Sequence, residues 1–228
     1  MINIGSAFLG AKGPKDPKQH RQWTINSAHF TERHSLFMII VLGEVVVAIG
    51  AKATGVVEKT GLSFELAFGV VLATSIACMY WWSYFSYIPK VLEHALKTSP
   101  PHLKGKSARD LFSFGLFPIV IALIFYAVVA KHFIVHPFEK LSLKDLILLA
   151  ISGAGFYTAI LANQYRLVKY ISKERLTGLL AILAICFVGQ YVDGWITISL
   201  FSVTLCIVSI VLWRAFMNSE INKEISGS

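Results

Sequence analysis

The chain has 228 residues, 55% hydrophobic and only 15% charged, with a mean hydropathy of +0.63. A soluble domain carries about 25% charged residues, so the composition points to lipid and away from a single water-soluble core. The net charge of +8 lies in short segments between apolar blocks, where membrane topology needs it, rather than on one nucleic-acid-binding patch.

Cys78, Cys186 and Cys206 each fall inside an apolar block without CxxC spacing, which argues against a disulfide framework. Met1–Gly10 lacks the basic start and length of a signal peptide, so the first spanning helix is expected to serve as the insertion signal. Ala11–Gln22 is polar, with two prolines and four basic residues.

Six apolar blocks follow, against the roughly 20 residues needed to cross about 30 Å of hydrocarbon. They are Leu36–Ala51, Leu62–Ile88, Leu111–Ala130, Leu146–Leu161, the short Leu176–Tyr191, and Trp195–Trp213. None alternates apolar and polar residues as barrel strands do, so the fold class is an all-α, polytopic bundle of about six transmembrane helices. Pro118 falls inside the third block, where a membrane helix tolerates it with a kink. The expected organisation is a polar lead-in (1–28), a six-helix domain (29–217) and a tail (218–228).

Lys and Arg distribute unevenly between the loops. Sixteen lie in the lead-in, the second-to-third loop, the fourth-to-fifth loop (Arg166, Lys169, Lys173, Arg175) and the tail. Lys52, Lys59, Lys131, Lys140 and Lys144 lie on the other side, completing the total of 21. The positive-inside rule then places both termini in the cytoplasm. Trp81, Trp82, Tyr84 and Tyr87 read as a headgroup-level aromatic belt, with Tyr191 and Trp195 at the opposite face.

The stretch His29–Gly50 (HFTERHSLFMIIVLGEVVVAIG) is the most informative. Glu44 stands mid-span, where a charge costs at least about 2.5–3.5 kcal/mol. It is either an ion- or proton-binding carboxylate or a structural carboxyl bonded to a neighbouring helix. Arg33 precedes it by eleven residues, about three turns, so the two share a face about 16 Å apart and are expected to line one cavity. His29, Glu32 and Arg33 are the ion-access or gating candidates. Glu32 also suits a first helical turn, where negative charge complements the dipole.

Further along, Ser152, Gly155, Ala159 and Ala162 form a small-residue stripe suited to close helix packing. Asn163, Gln164 and Arg166 read as interfacial anchors, and Asp193 as a turn and N-cap residue. His132 and His136 lack a carboxylate or cysteine at metal-site spacing, so no metal is expected. HExxH, GxSxG and P-loop motifs are absent. No enzyme activity and no cofactor are expected.

The segment HFTERHSLFMIIVLGE, followed by WWSYF, FPIVIALIFYAVVAKHFIVHP and GFYTAILANQYRLVKY, resembles the bacterial low temperature requirement A family from about Trp23 onward. The resemblance implies a polytopic bacterial inner-membrane protein from a family named for a cold-growth phenotype, its molecular activity undefined. His29, Glu32, Arg33, Gly43 and Glu44 are the motif positions that carry over, with Gly43 read, like Gly155, as a close-packing position. Family members are usually longer, with an earlier set of spans, and this chain resembles their later half. It is then a natural short member, one product of a split gene, or a fragment. The expected partners are the lipid bilayer and either a second copy or another membrane chain, not nucleic acid. The expected function is proton- or cation-linked transport through Glu44, with a non-transporting assembly subunit as the alternative.

Overall fold

The computed structural model describes residues 26–98, 108, 115–168 and 173–218. The lead-in up to residue 25, the tail beyond residue 218, and Lys104, Lys106, Arg109 and Lys169 lie outside the described residues.

Seven α-helices, and no strand, occupy the described residues: α1 (Ser27–Thr60), α2 (Phe64–Phe85), α3 (Ile88–Thr98), α4 (Gly115–Phe133), α5 (Leu143–Val168), α6 (Lys173–Val188) and α7 (Gly194–Met217). α4 packs most extensively on α5, α2 on α7, and α6 on both α5 and α7, while α1 leans on α4, α2 and α3. The core is large and aromatic, with Tyr80, Tyr126, Tyr157, Phe133, Phe156 and Phe201 fully buried.

Local chemistry sets the ends. The Asn26 side chain accepts from the N–H groups of Ala28 and His29, at 3.1 and 3.4 Å, capping α1. The helix therefore starts before the apolar block, and Glu32 falls in its second turn; the first turn holds no acidic residue. α1 ends at Gly61, whose φ of +78° suits a residue without Cβ. Ser63 caps α2 through the Leu66 N–H at 3.2 Å, with Glu65 in the first turn. Ser142 accepts from the Asp145 N–H at 3.1 Å at the start of α5. Asp193 occupies the N-cap of α7 without a side-chain capping bond. There the α4–α5 loop helps instead: Gly194 N–H donates to Glu139 O (2.8 Å) and Trp195 N–H to Pro137 O (2.9 Å). A Cβ at Gly194 would sit 2.8 Å from Glu139 O, so only glycine admits this approach.

Five stretches are long and apolar enough to cross a membrane: Ser27–Thr60, Phe64–Thr98, Gly115–Phe133, Leu143–Tyr165 and Gly194–Met217. The second joins α2 to α3 across a turn at Ser86–Tyr87. The fifth apolar block becomes α6, whose 16 residues span only about 24 Å, short of the hydrocarbon thickness. The chain is thus an all-α, polytopic bundle in which five helices meet the length of a span.

Candidate functional site

Glu44 projects from the outer face of α1. It is exposed, as are Arg33, Phe37, Ile40, Gly43, Val47 and Gly50 around it, while Met38, Leu42, Val45 and Ile49 form the buried face. Arg33 and Glu44 share a face as expected, but that face carries no covering helix among the described residues, so it is a surface and not a cavity. Glu44 makes no hydrogen bond or ion pair among the described residues. A Cβ added at Gly43 or Gly50 meets nothing within 4 Å, whereas one at Gly155 meets the Ala122 methyl at 3.4 Å. Gly155 therefore serves the α4–α5 contact, and Gly43 has no packing partner among the described residues. Only 22% of the apolar window of α1 is buried, against 33–50% for the other four spans.

The ion-access candidates lie at the start of the same helix. His29 Nδ1 is 3.5 Å from Glu32 Oε2, and both side chains are largely exposed. His34 turns back, its Nδ1 2.7 Å from Phe30 O.

Every helix but α3 brings a polar group into the bundle, and the hydrogen bonds between helices α2, α4, α5 and α6 are the most deeply buried. Tyr126 OH donates to Ala73 O. Tyr80 OH bonds Ser152 Oγ at 2.9 Å, with the Tyr80 and Tyr126 rings 5.7 Å apart, edge on. Ser152 thus carries a core hydrogen bond beyond its place in the small-residue stripe. Further along the bundle, Arg175 is buried at 3% exposure. Its Nη1 donates to Gln164 Oε1 at 2.6 Å, its Nη2 donates to Tyr87 OH, and the guanidinium sits 5.4 Å from the Tyr87 ring centroid. Phe216 stacks on the same Tyr87 ring, centroids 5.5 Å apart.

Three sequence expectations change here. Arg175 is not a loop charge but a buried residue in the first turn of α6. Tyr84 and Tyr87 are buried rather than interfacial, while Trp81 and Trp82 are exposed as a belt requires. Gln164 is a buried-arginine acceptor, and Asn163 closes on Gly115, where a Cβ would collide with its amide. The signal was present in the spacing of Tyr80, Tyr84 and Tyr87, at i, i+4 and i+7 on one helical face.

At the opposite end, His132 Nδ1 lies 2.8 Å from Asp145 Oδ1, and Ser142 Oγ donates to Asp145 Oδ2 at 2.6 Å. His136 Nδ1 lies 3.5 Å from Glu139 Oε1. No group of three His, Cys, Asp or Glu suited to a metal occurs among the described residues. Cys78, Cys186 and Cys206 are free.

Comparison with known proteins adds the family. An uncharacterized protein of Rhizobium meliloti (strain 1021) is 33% identical over 116 residues, which cover 50% of this chain and 27% of that relative. Less than a third of the relative's length is therefore matched. No solved structure matches. The family model for the bacterial low temperature requirement A protein (LtrA) matches residues 11–213, most of the chain, and with its bundle of apolar helices this chain belongs to that family.

Proposed function

We propose that this chain is a non-enzymatic assembly subunit of the bacterial inner membrane, and that the outer face of α1 docks a second copy of the chain. The observation that carries the reading is Glu44, exposed at mid-helix on the least covered span. In lipid, a charge there costs at least about 2.5–3.5 kcal/mol. Copies inserted with the same topology bring two α1 helices together in parallel, with both Glu44 carboxyls at one depth. Like carboxylates at close range share a proton, one acid donating to one carboxylate. Gly43 and Gly50 beside Glu44 let the two backbones approach. The basic-residue asymmetry supports termini in the cytoplasm, which requires α6 to complete a sixth crossing by locally thinning the bilayer.

The test is the oligomer fraction of purified full chain, wild type against Glu44→Ala. An interhelical polar contact is worth about 1–2 kcal/mol, so the association constant is expected to fall about tenfold. Equal association in the two proteins contradicts the reading.

The same carboxylate supports a second reading, proton- or cation-linked conduction, with the path at the interface between copies and Arg33 near its mouth. Proteoliposome flux separates the two. The assembly reading predicts equal flux for wild type and Glu44→Gln; the conduction reading predicts flux in wild type that the variant loses.

A further inference from the structure

A groove between α5 and α6 is independent of α1. The two helices close on each other at glycines. A Cβ at Gly189, just past α6, would lie 2.8 Å from Leu146 Cδ2, and a Cβ at Gly153 would lie 2.7 Å from Ile182 Cγ2. These two contacts set an antiparallel register and stand about 10 Å apart along α5. Between them the register brings Ala150 level with Cys186, and both line the groove. Two small side chains there leave the helices parted over an apolar hollow of about 310 Å³. Leu143, Ile147, Leu183 and Phe187 also line it and are exposed, so they form its lips. No helix covers the opening among the described residues.

Depth and chemistry identify the occupant. Tyr191 and Trp195 are exposed at this end of the bundle, which sets the mouth of the groove at headgroup level. Gln190 is the strongly polar residue of the lining. A buried water needs two to four polar partners, so water does not fill the hollow. An empty hollow forfeits dispersion contacts along both walls, and hydrocarbon restores them. The shortness of α6 favours a lipid chain further. Its 16 residues span about 24 Å, less than the hydrocarbon thickness. Acyl chains beside it therefore meet a thinned bilayer and gain from lying in a groove. At the mouth, Lys144 in the first turn of α5 and Gln190 are exposed, and both carry N–H donors that suit phosphate oxygens.

We propose that the α5–α6 groove binds one acyl chain of a membrane phospholipid, whose phosphate is held at the mouth by Lys144 and Gln190. Ala150 and Cys186 make the room, and the glycine contacts at either end keep the helices from closing over it or drifting apart.

The experiment uses purified full chain reconstituted in nanodiscs of phosphatidylglycerol and phosphatidylcholine. The protein is then moved into a delipidating detergent, and native mass spectrometry counts the phospholipid that stays bound. Wild type is expected to keep one phospholipid per chain. Ala150→Phe fills the groove from α5 and Cys186→Leu fills it from α6, and both are expected to keep none; either one decides if the other fails to fold. Val203→Phe adds the same bulk on the exposed face of α7, outside the groove, and is expected to keep the lipid. Lys144→Gln is expected to keep a smaller fraction than wild type. A wild type that retains no phospholipid overturns the proposal, including the case in which a second copy covers the groove instead. So does equal retention by wild type and the groove-filling variants, which marks the lipid as part of the general annulus. Undiminished retention by Lys144→Gln overturns the placement of the phosphate.

Discussion

The hydroxyls of Tyr80 and Ser152 satisfy each other in a fully buried setting. Tyr80→Phe leaves Ser152 unpaired and should destabilise the bundle by about 1–3 kcal/mol. Combining it with Ser152→Ala should cost less than the sum of the single changes, because the pair is then removed together. Denaturation of the three variants in one detergent checks all of this. Arg175 shows why this part of the site was hard to read from the chain. Basic residues between apolar blocks are counted as topology signals, and nothing local tells a solvated loop arginine from one folded under Tyr87. Glu44 was legible because a lone carboxylate in an apolar run is conspicuous whichever way it faces. Its direction was not, since only the neighbouring helices decide which side of α1 is covered.

At the scale of elements, glycines separate the packed seams from the open face. A Cβ at Gly153 would lie 2.7 Å from Ile182 Cγ2 and 2.9 Å from Phe201 Cζ, and one at Gly178 would lie 2.7 Å from Val208 Cγ2. Gly153→Ala should push α5 away from α6 and α7 and destabilise the protein by about 1–3 kcal/mol. A Cβ at Gly43 meets nothing within 4 Å among the described residues and the position is exposed, so Gly43→Leu should leave monomer stability within about 0.5 kcal/mol while weakening association, as sedimentation in detergent can show. The helices themselves were legible where apolar runs approach membrane thickness, as in Leu146–Leu161 and Trp195–Trp213. Their true lengths were not, because Asn26 and Gly61 extend α1 to 34 residues through polar sequence that hydropathy assigns to loops. α3 escaped for a related reason. Its buried residues Ile88, Leu92 and Leu96 recur every four positions in an otherwise polar stretch, the pattern of a half-covered helix rather than of a span.

For the whole molecule, two features set its place in the bilayer: the number of crossings and the cover on α1. Cysteines placed at Asn26 and Asn218 should label from the same side of the membrane if α6 completes a crossing, and from opposite sides if only the five longer stretches do. The account predicts the same side. Its central claim, that a second copy covers the outer face of α1, is tested most directly by disulfide trapping in native membranes. In a background lacking Cys78, Cys186 and Cys206, Val47→Cys, on the exposed face at 61% exposure, should trap a dimer of this chain. Ile49→Cys, on the buried face at 1% exposure, should trap none. A monomeric Val47→Cys, or equal trapping from both positions, would contradict the claim.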